Sequence, residues 1–253
     1  MANAFDWNTD PASNNAAPPD GAPEDMRPSA VNNTMRQMMA NVAGAFTVYT
    51  AGGTANAQTV TMDPALTAYS KVVRIAFVPV ADNTGACTLN VNGLGAKSIK
   101  LQGGAGIYAG ALQDDYIALV QYDGTNFILL NPAEVSGSFT LTGTGFSGTA
   151  PSVTCAYKRN GSVVTLKIDS FATFRGTSNS TSFGGSGVPT AIRPSTTSGV
   201  QYAHLRDNGS NIEGSMAVGS DGTITFYNGV SPTGFTSSGE KGLGNRLEVT
   251  YSI

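Results

Sequence analysis

Six Asn-Gly or Asp-Gly dipeptides separate runs of alternating apolar and polar residues along the chain. They begin at Asn92, Asp123, Asn160, Asn208, Asp221 and Asn228. Both residues of such a pair tolerate a positive φ, which the two-residue turn of a β-hairpin requires. In the run KVVRIAFVPV, the period-two pattern puts Val73, Ile75 and Phe77 on one face. Because only one segment has a helical pattern, the sequence predicts an all-β protein with one short helix.

The strand-like runs fall into two groups, each about as long as a β-sandwich domain. The first group, 46–132, ends with FILLNP, and the second, 148–253, runs from VTCAYKRNGSVVTLKI to LEVTYSI. The stretch between them, VSGSFTLTGTGFSGTAPS, is rich in Gly, Ser and Thr and is typical of either a flexible linker or a lead-in strand. We interpret 133–147 as a linker, and therefore predict two β-sandwich-like domains. The last apolar run reaches the final residue, so we expect the C-terminus to belong to a sheet.

The N-terminal segment differs from the rest of the chain. Residues 1–27 are rich in Pro and small polar residues and cannot bury enough apolar surface to fold alone, so we expect an extended arm. A short helix is predicted at 28–45, because Pro28 suits a first helical turn and Gly44 suits the C′ position just past a helix end.

The predicted helix carries one apolar stripe. Its members are Val31, Met35, Met38 and Val42. Their spacings of four, three and four residues are close to those of a coiled-coil seam. A helix of this length is marginal alone in water, so the stripe needs a partner. That partner is either the first β-domain of the same chain or other copies of the helix in a bundle.

Composition excludes several classes of function. Charged residues make up only 12% of the 253-residue chain and the formal net charge is −3, so there is no basic surface to bind DNA or RNA. No stretch approaches 18 apolar residues, and MANAFDWNTD lacks the basic and apolar regions of a signal peptide, so we expect synthesis in the cytoplasm without membrane insertion. The two cysteines, Cys87 and Cys155, form no C-x-x-C pair and are interpreted as buried apolar residues in different domains.

Patterns that would indicate catalysis are weak. The only histidine, His204, is not accompanied by a G-x-S-x-G or an H-E-x-x-H motif. Most acidic residues of the second group, such as Asp207 and Asp221, stand beside Asn or Gly in turns, where Asp caps the backbone. A carboxylate pair for glycoside hydrolysis stays open as an alternative. We expect neither an enzyme nor a cofactor or metal site.

Aromatic and polar residues near turns of the second group are the candidates for ligand binding. They are Tyr202, His204, Arg206, Asp207, Tyr227 and Phe235. Loops on a rigid sandwich frequently carry binding sites, and aromatic faces beside charged side chains suit a sugar. The alternative is that Tyr202 and Phe226 belong to the core and that the other aromatic residues are scattered over the surface.

The only tryptophan lies in the polar arm, within DWNTDPASNN, which is followed by PPDGAPEDMRPSAVNNTMRQMMA. This stretch resembles the N-terminal segment of tailed-bacteriophage tail fibre proteins. That segment has a W-x-x-x-P-x-x-N-like opening, an acidic Gly/Pro turn, and a short helix similar to P-x-x-V-N-(N/D)-x-x-R-x-(M/L)-M. The matching residues are Trp7, Pro11, Asn14, Asp20, Gly21, Pro28, Val31, Asn32, Arg36 and Met39.

Later stretches extend the resemblance over nearly the whole chain. ADNTGACTLNVNGLGAKSIKL and YIALVQYDGTNFILL look like the β-rich domain that follows the attachment segment in such fibres. GTSNSTSFGGSGVPTAIRPS, DGTITFY and GFTSSGEKGLG resemble C-terminal tip domains. The resemblance implies a protein of the virion tail, usually a homotrimer, whose C-terminal domain meets a glycan or envelope protein on the host surface.

The resemblance also implies roles for particular residues. Residues of the arm would attach to a tail or baseplate protein, with Trp7 as an aromatic anchor in a pocket of that partner. These anchoring residues are Phe5, Trp7, Pro11 and Asn14. The stripe Val31, Met35, Met38 and Val42 would close around the threefold axis. The alternative for Trp7 is packing on its own domain.

The chain is too short for the repeats of long fibres or for the large β-helix of polysaccharide-cleaving tailspikes. This length favours a short fibre that binds a host receptor. Two alternatives stay open: a structural adaptor that links the baseplate to a separate receptor-binding protein, and a glycan-cleaving tailspike enzyme.

Overall fold

The computed structural model describes residues 4, 13–16, 22–23, 25–168, 173–229 and 233–253. The described chain is mostly β-strand, with one α-helix and two β-sheets in barrel-like or sandwich-like domains, so the all-β prediction is confirmed. Two compact units divide it, Met1–Ala133 and Glu134–Ile253. Each unit contains one of the two sheets.

Helix α1 of the first unit spans Pro28–Phe46. Pro28 stands in the first turn, where a missing N–H leaves no helical hydrogen bond unmade. Gly44 lies inside the helix, not in the predicted C′ position, because the helix continues to Phe46. A Cβ at Gly44 would come within 2.7 Å of the carbonyl oxygen of Asp63, so this glycine permits close packing. The helix ends where Thr47 becomes extended and donates its backbone N–H to Gly44 O.

The described part of the first unit has eight short strands around one core. They are β1 Val48–Thr50, β2 Gly52–Thr54, β3 Ala57–Val60, β4 Arg74–Val78, β5 Cys87–Val91, β6 Lys97–Lys100, β7 Ala118–Tyr122 and β8 Phe127–Leu129. Their order in the sheet is β1-β4-β7-β8-β6-β5-β3-β2. The edge strands β1 and β2 follow each other in the chain, so the sheet curls until its two edges meet at Ala51.

The core of the first unit follows the alternation read from the sequence. Val73, Ile75 and Phe77 are all buried, and Cys87 and Leu89 of β5 lie in the same core. Cys155 is buried in the second unit, so both cysteines are buried and lie in different units, as expected.

In the described residues of the second unit there are ten antiparallel strands. They are β9 Val135–Thr144, β10 Ser152–Asn160, β11 Val163–Ile168, β12 Arg175–Thr177, β13 Gly184–Ser186, β14 Gln201–Asp207, β15 Ser210–Val218, β16 Thr223–Asn228, β17 Glu240–Leu243 and β18 Leu247–Ser252. Their order is β12-β17-β14-β15-β16-β13-β9-β10-β11-β18. Gln201 Nε2 donates to Thr250 O at 2.6 Å, which brings β14 against the edge strand β18. The sheet therefore folds back on itself around a core, and the C-terminus is paired in it as predicted.

The interpretation of 133–147 as a linker is corrected by the structure. Strand β9 occupies most of this stretch and pairs with β10 on one side and β13 on the other. Leu141 is fully buried and Phe139 packs against the same core, while the intervening Ser and Thr residues face outward. Small hydroxyl side chains are typical of the solvent face of an antiparallel sheet, which explains why their abundance resembled a linker.

The six predicted turns all contain a glycine with positive φ. These glycines are Gly93, Gly124, Gly161, Gly209, Gly222 and Gly229. Both residues have positive φ only at Asn92-Gly93 and Asn208-Gly209, and only the latter pair forms a two-residue connection, from β14 to β15. At Asn160, the strand continues one residue further, so the turn residues are Gly161 and Ser162.

Candidate assembly and binding surfaces

The face of helix α1 that packs on the first unit is polar or small. Thr34, Asn41 and Gly44 are the buried residues of the helix. Gln37 Nε2 donates to Asn41 Oδ1 at 2.9 Å, and Tyr49 Oη donates to the carbonyl oxygen of Gly44 at 2.7 Å. The helix therefore rests on its own domain without using its apolar stripe.

The apolar stripe lies roughly 100° around the helix axis from the buried face. Val31, Met35, Met38 and Val42 are 41%, 58%, 46% and 45% exposed. Of the two partners that the sequence left open, the chain's own β-domain does not cover this stripe. Met39 and Phe46 extend the same apolar surface, at 70% and 84% exposure. Arg36 is the only charged residue of α1, so little charge opposes the close approach of another apolar surface.

The arm residues predicted to anchor the chain are mostly outside the described residues. Phe5, Trp7 and Pro11 lie there, as do Asp20 and Gly21 of the resemblance motif. Asn14 is described, and its carbonyl oxygen accepts a hydrogen bond from the backbone N–H of Ala22 at 2.8 Å.

Strands β14, β15 and β16 present a second exposed surface, which we call the Tyr202 cluster. On β14, Ala203 and Leu205 point into the core, so Tyr202 and His204 point outward. The antiparallel register places Glu213 opposite His204, and Ser215 opposite Tyr202 on one side and Tyr227 on the other. The Tyr202 cluster thus consists of Tyr202, His204, Glu213 and Tyr227. Ser215, between Tyr202 and Tyr227 in the register, is buried and donates its hydroxyl to the carbonyl oxygen of Gly229 at 2.7 Å.

Tyr202 contacts two other members of the Tyr202 cluster, His204 and Glu213. Tyr202 Oη lies 3.2 Å from His204 Nε2, and the two rings are perpendicular with centroids 5.0 Å apart. Desolvation raises the pKa of Tyr202, and the charge and hydrogen bond of Glu213 raise it further. The Tyr202 hydroxyl therefore stays protonated and faces the Glu213 carboxylate. Tyr202 is 52% exposed, which leaves an aromatic face open beside polar groups.

Three of the six predicted binding residues are engaged elsewhere. Phe235 is 4% exposed and packs on Phe183 with ring centroids 4.6 Å apart, so it belongs to the core and cannot contact a receptor. Asp207 is buried and accepts two hydrogen bonds from Thr236. Arg206 pairs with Glu240, with Nε and Oε1 2.8 Å apart.

Glu213 is the member of the Tyr202 cluster that the sequence reasoning did not select. The signal was present, because the two-residue turn at Asn208-Gly209 fixes the register of the hairpin. The pair next to the turn is Asp207 and Ser210. Three residues further along each strand, His204 lies opposite Glu213. Phe235 was selected as a binding candidate because it is aromatic and lies near a turn, but neither property indicates whether a side chain is buried.

The two carboxylates considered for catalysis have structural partners. Asp207 lies 3.7 Å from the ammonium of Lys241. Asp221 caps its own turn by accepting from the hydroxyl of Thr223 at 2.7 Å and from its backbone N–H at 3.0 Å. These hydrogen bonds lower the pKa of Asp221. Within the described ranges, no three His, Cys, Asp or Glu side chains are grouped to hold a metal ion.

Comparison with known proteins gives no relative to argue from. The chain matches no protein-family model, and a search of curated proteins finds no significant similarity. No helix in the described part of the chain has both the length and the hydropathy to cross a membrane.

Proposed function

We propose that this chain is a short, homotrimeric tail fibre of a tailed bacteriophage. Its N-terminal arm attaches to a tail or baseplate protein, and its second unit adsorbs to a host-surface glycan. The protein is made in the host cytoplasm and functions in the virion tail. The observation that carries the proposal is the exposed apolar stripe of α1, directly after an arm that resembles a fibre attachment segment.

The exposed stripe of α1 supports the proposal of a trimer. The stripe keeps the four-three-four spacing of a coiled-coil seam. Because its side chains are about half exposed, burying each of them further contributes about 1 kcal/mol. The helix is anchored to its own domain through Thr34, Asn41 and Gly44, so the stripe is held on the surface in a fixed orientation. Copies that meet through it would bring their arms to one end of the assembly.

The Tyr202 cluster is the candidate receptor contact. An exposed aromatic face with a carboxylate, an imidazole and a hydroxyl beside it offers both stacking area and hydrogen-bond partners for a sugar ring. Three such sites on one fibre, and several fibres on one particle, raise the overall affinity through multivalency even when each site is weak.

Adsorption of the labelled, purified chain to a panel of bacterial strains tests this proposal. We expect binding to a subset of strains, and a several-fold loss with Tyr202→Ala. Tyr116→Ala, which removes another exposed tyrosine from the first unit, is the matched control and should bind as the unmodified chain does.

Two outcomes would contradict the receptor-binding function. If no strain binds the chain, while the chain binds a purified receptor-binding protein of the same tail, the adaptor alternative is favoured. If the chain releases reducing sugar from host polysaccharide, and Asp207→Asn or Asp221→Asn lowers the rate without unfolding the second unit, the chain is a glycan-cleaving enzyme.

A further inference from the structure

A shallow trough lies on the outer face of β9, β10, β11 and β18 in the second unit. Its volume is about 560 Å³, within the range of small-molecule and cofactor sites. None of the residues selected from the sequence as binding candidates lines it. The trough therefore needs its own explanation.

The strand register explains why a depression forms there. One row across the sheet contains Ser138, Ala156, Lys167 and Glu248, which are direct neighbours on successive strands. Ala156 is the smallest side chain of this row. The next row contains Ser136, Lys158 and Thr165. Long side chains on β10, β11 and β18 therefore rise around a floor of alanine and serine.

The charges around the trough are balanced. Lys158 Nζ lies 2.8 Å from Glu134 Oε1, and this hydrogen bond and charge raise the pKa of Lys158. Lys167 stands directly opposite Glu248 in the register of β11 and β18. Glu134 lies outside the trough lining but pairs with Lys158, so each of the two lysines is matched by a carboxylate, and little surplus charge is left to attract a phosphate or a uronate. The trough instead presents hydrogen-bond donors, hydrogen-bond acceptors and hydroxyl groups close to one another.

We propose that this trough binds a neutral oligosaccharide. Hydroxyl groups of a sugar both donate and accept, and they match a rim of ammonium, carboxylate and hydroxyl groups without needing net charge. Ala156 and the flanking backbone leave room for a ring to lie on the floor. The inference deepens the proposed function, on which it rests for the source of the glycan.

The test measures binding of three neutral oligosaccharides, chitotetraose, maltotetraose and laminaritetraose, to the full chain. Binding is detected by NMR saturation transfer and quantified by titration calorimetry. Ala156→Tyr fills the trough with a side chain that strands accept well, and should weaken binding at least about tenfold. Thr154→Tyr is the matched control. It lies two residues away on the same strand and the same face, outside the trough lining, and should bind as the unmodified chain does.

Several results would overturn the proposal. They are an absence of binding to all three oligosaccharides, equal binding by Ala156→Tyr, and binding only to an anionic tetramer of galacturonate. Cell adsorption measured on the same proteins separates the two proposals. If Ala156→Tyr adsorbs to cells as the unmodified chain does and no oligosaccharide binds, the trough proposal is wrong and the fibre proposal stands. If an oligosaccharide binds but the chain adsorbs to no strain, the trough proposal stands and the proposed receptor-binding function is wrong.

Discussion

Lys241 is a charged side chain with no exposure to solvent. Its ammonium lies 3.1 Å from the carbonyl oxygen of Ser178, 3.0 Å from that of Ser238 and 3.7 Å from Asp207 Oδ1. Two carbonyl oxygens accept hydrogen bonds from the ammonium and the Asp207 carboxylate supplies the opposite charge, which makes the burial of Lys241 tolerable. Asp207 in turn holds Thr236, so this network fixes the chain segment that precedes β17.

We expect Lys241→Met to lower the free energy of unfolding by about 3–5 kcal/mol, because the buried Asp207 carboxylate loses its positive partner. Chemical denaturation of the second unit measures this loss. Lys158→Met is the matched control, since Lys158 is exposed and its ion pair with Glu134 is worth less than about 1 kcal/mol. Equal losses in the two variants would show that Lys241 is not held as described.

Tyr251 gives a second prediction at the scale of one residue. Burial raises its pKa from 10.0 to about 12, and its hydroxyl donates to the carbonyl oxygen of Ile192 at 2.8 Å. Because the folded pKa lies above the unfolded value, the stability that this group contributes is complete below pH 10 and is lost as pH rises through about 12.

Tyr251→Phe should therefore be about 1 kcal/mol less stable than the unmodified chain at neutral pH, from the lost hydrogen bond. The difference should shrink in denaturation curves measured above pH 10, where the unfolded tyrosine ionises. A difference that stays constant over this alkaline range would contradict the burial of the Tyr251 hydroxyl.

At the scale of elements, the sequence predicted strands best where the turn residues and the apolar alternation indicate the same structure. The turn dipeptides and the alternating runs predicted the strands, and the Asn208-Gly209 turn fixed the β14–β15 register. They did not predict β9, because its Ser, Thr and Gly residues satisfy the solvent face of a strand and a linker equally well. Only pairing with β10 and β13, which is non-local, decides between the two.

Helix α1 shows another limit of local patterns. Its apolar period predicted one stripe, which the structure leaves exposed on the first unit, but the period cannot say which surface would cover the stripe. The helix packs on its own domain through Thr34, Asn41 and Gly44 instead. This packing includes a close approach of the Asp63 backbone to Gly44. That approach joins residues of the helix to a loop after β3, and no helical pattern encodes it.

The Asn208-Gly209 turn carries a prediction of its own. Gly209 has a φ of 78°, so Gly209→Ala should destabilise the second unit by about 1–2 kcal/mol through backbone strain. Thermal unfolding measures the change. Gly199→Ala in the same unit is the control, because Gly199 has no positive φ and no atom within 4 Å of an added Cβ. The hairpin assignment fails if both alanine variants are equally stable.

At the scale of the whole molecule, the proposed assembly depends on the stripe of α1 and the proposed adsorption on the second unit. The candidate site was only partly predictable. Tyr202, His204 and Tyr227 meet on one face because β14 to β16 are consecutive antiparallel strands, whereas Arg206, Asp207 and Phe235 were drawn into contacts by distant segments. The trough over Ala156 was not predicted, because it depends on four strands in register.

In the proposed fibre, the stripe of α1 links assembly to adsorption. Met38→Glu places a charge on it and should separate the copies, which removes multivalency and weakens binding to cells without changing the fold of the second unit. Ala40→Glu is the matched control, since it adds the same charge at an exposed position of the same helix, away from the stripe. Equal adsorption by both variants would mean that binding does not depend on assembly through α1.

The mass of the full chain in solution, measured by light scattering, tests the central claim of a trimeric fibre most directly. We expect a mass of three times 25.9 kDa for the unmodified chain and for Ala40→Glu, and a single 25.9 kDa chain for Met38→Glu. A monomer of the unmodified chain at every concentration measured would contradict the fibre.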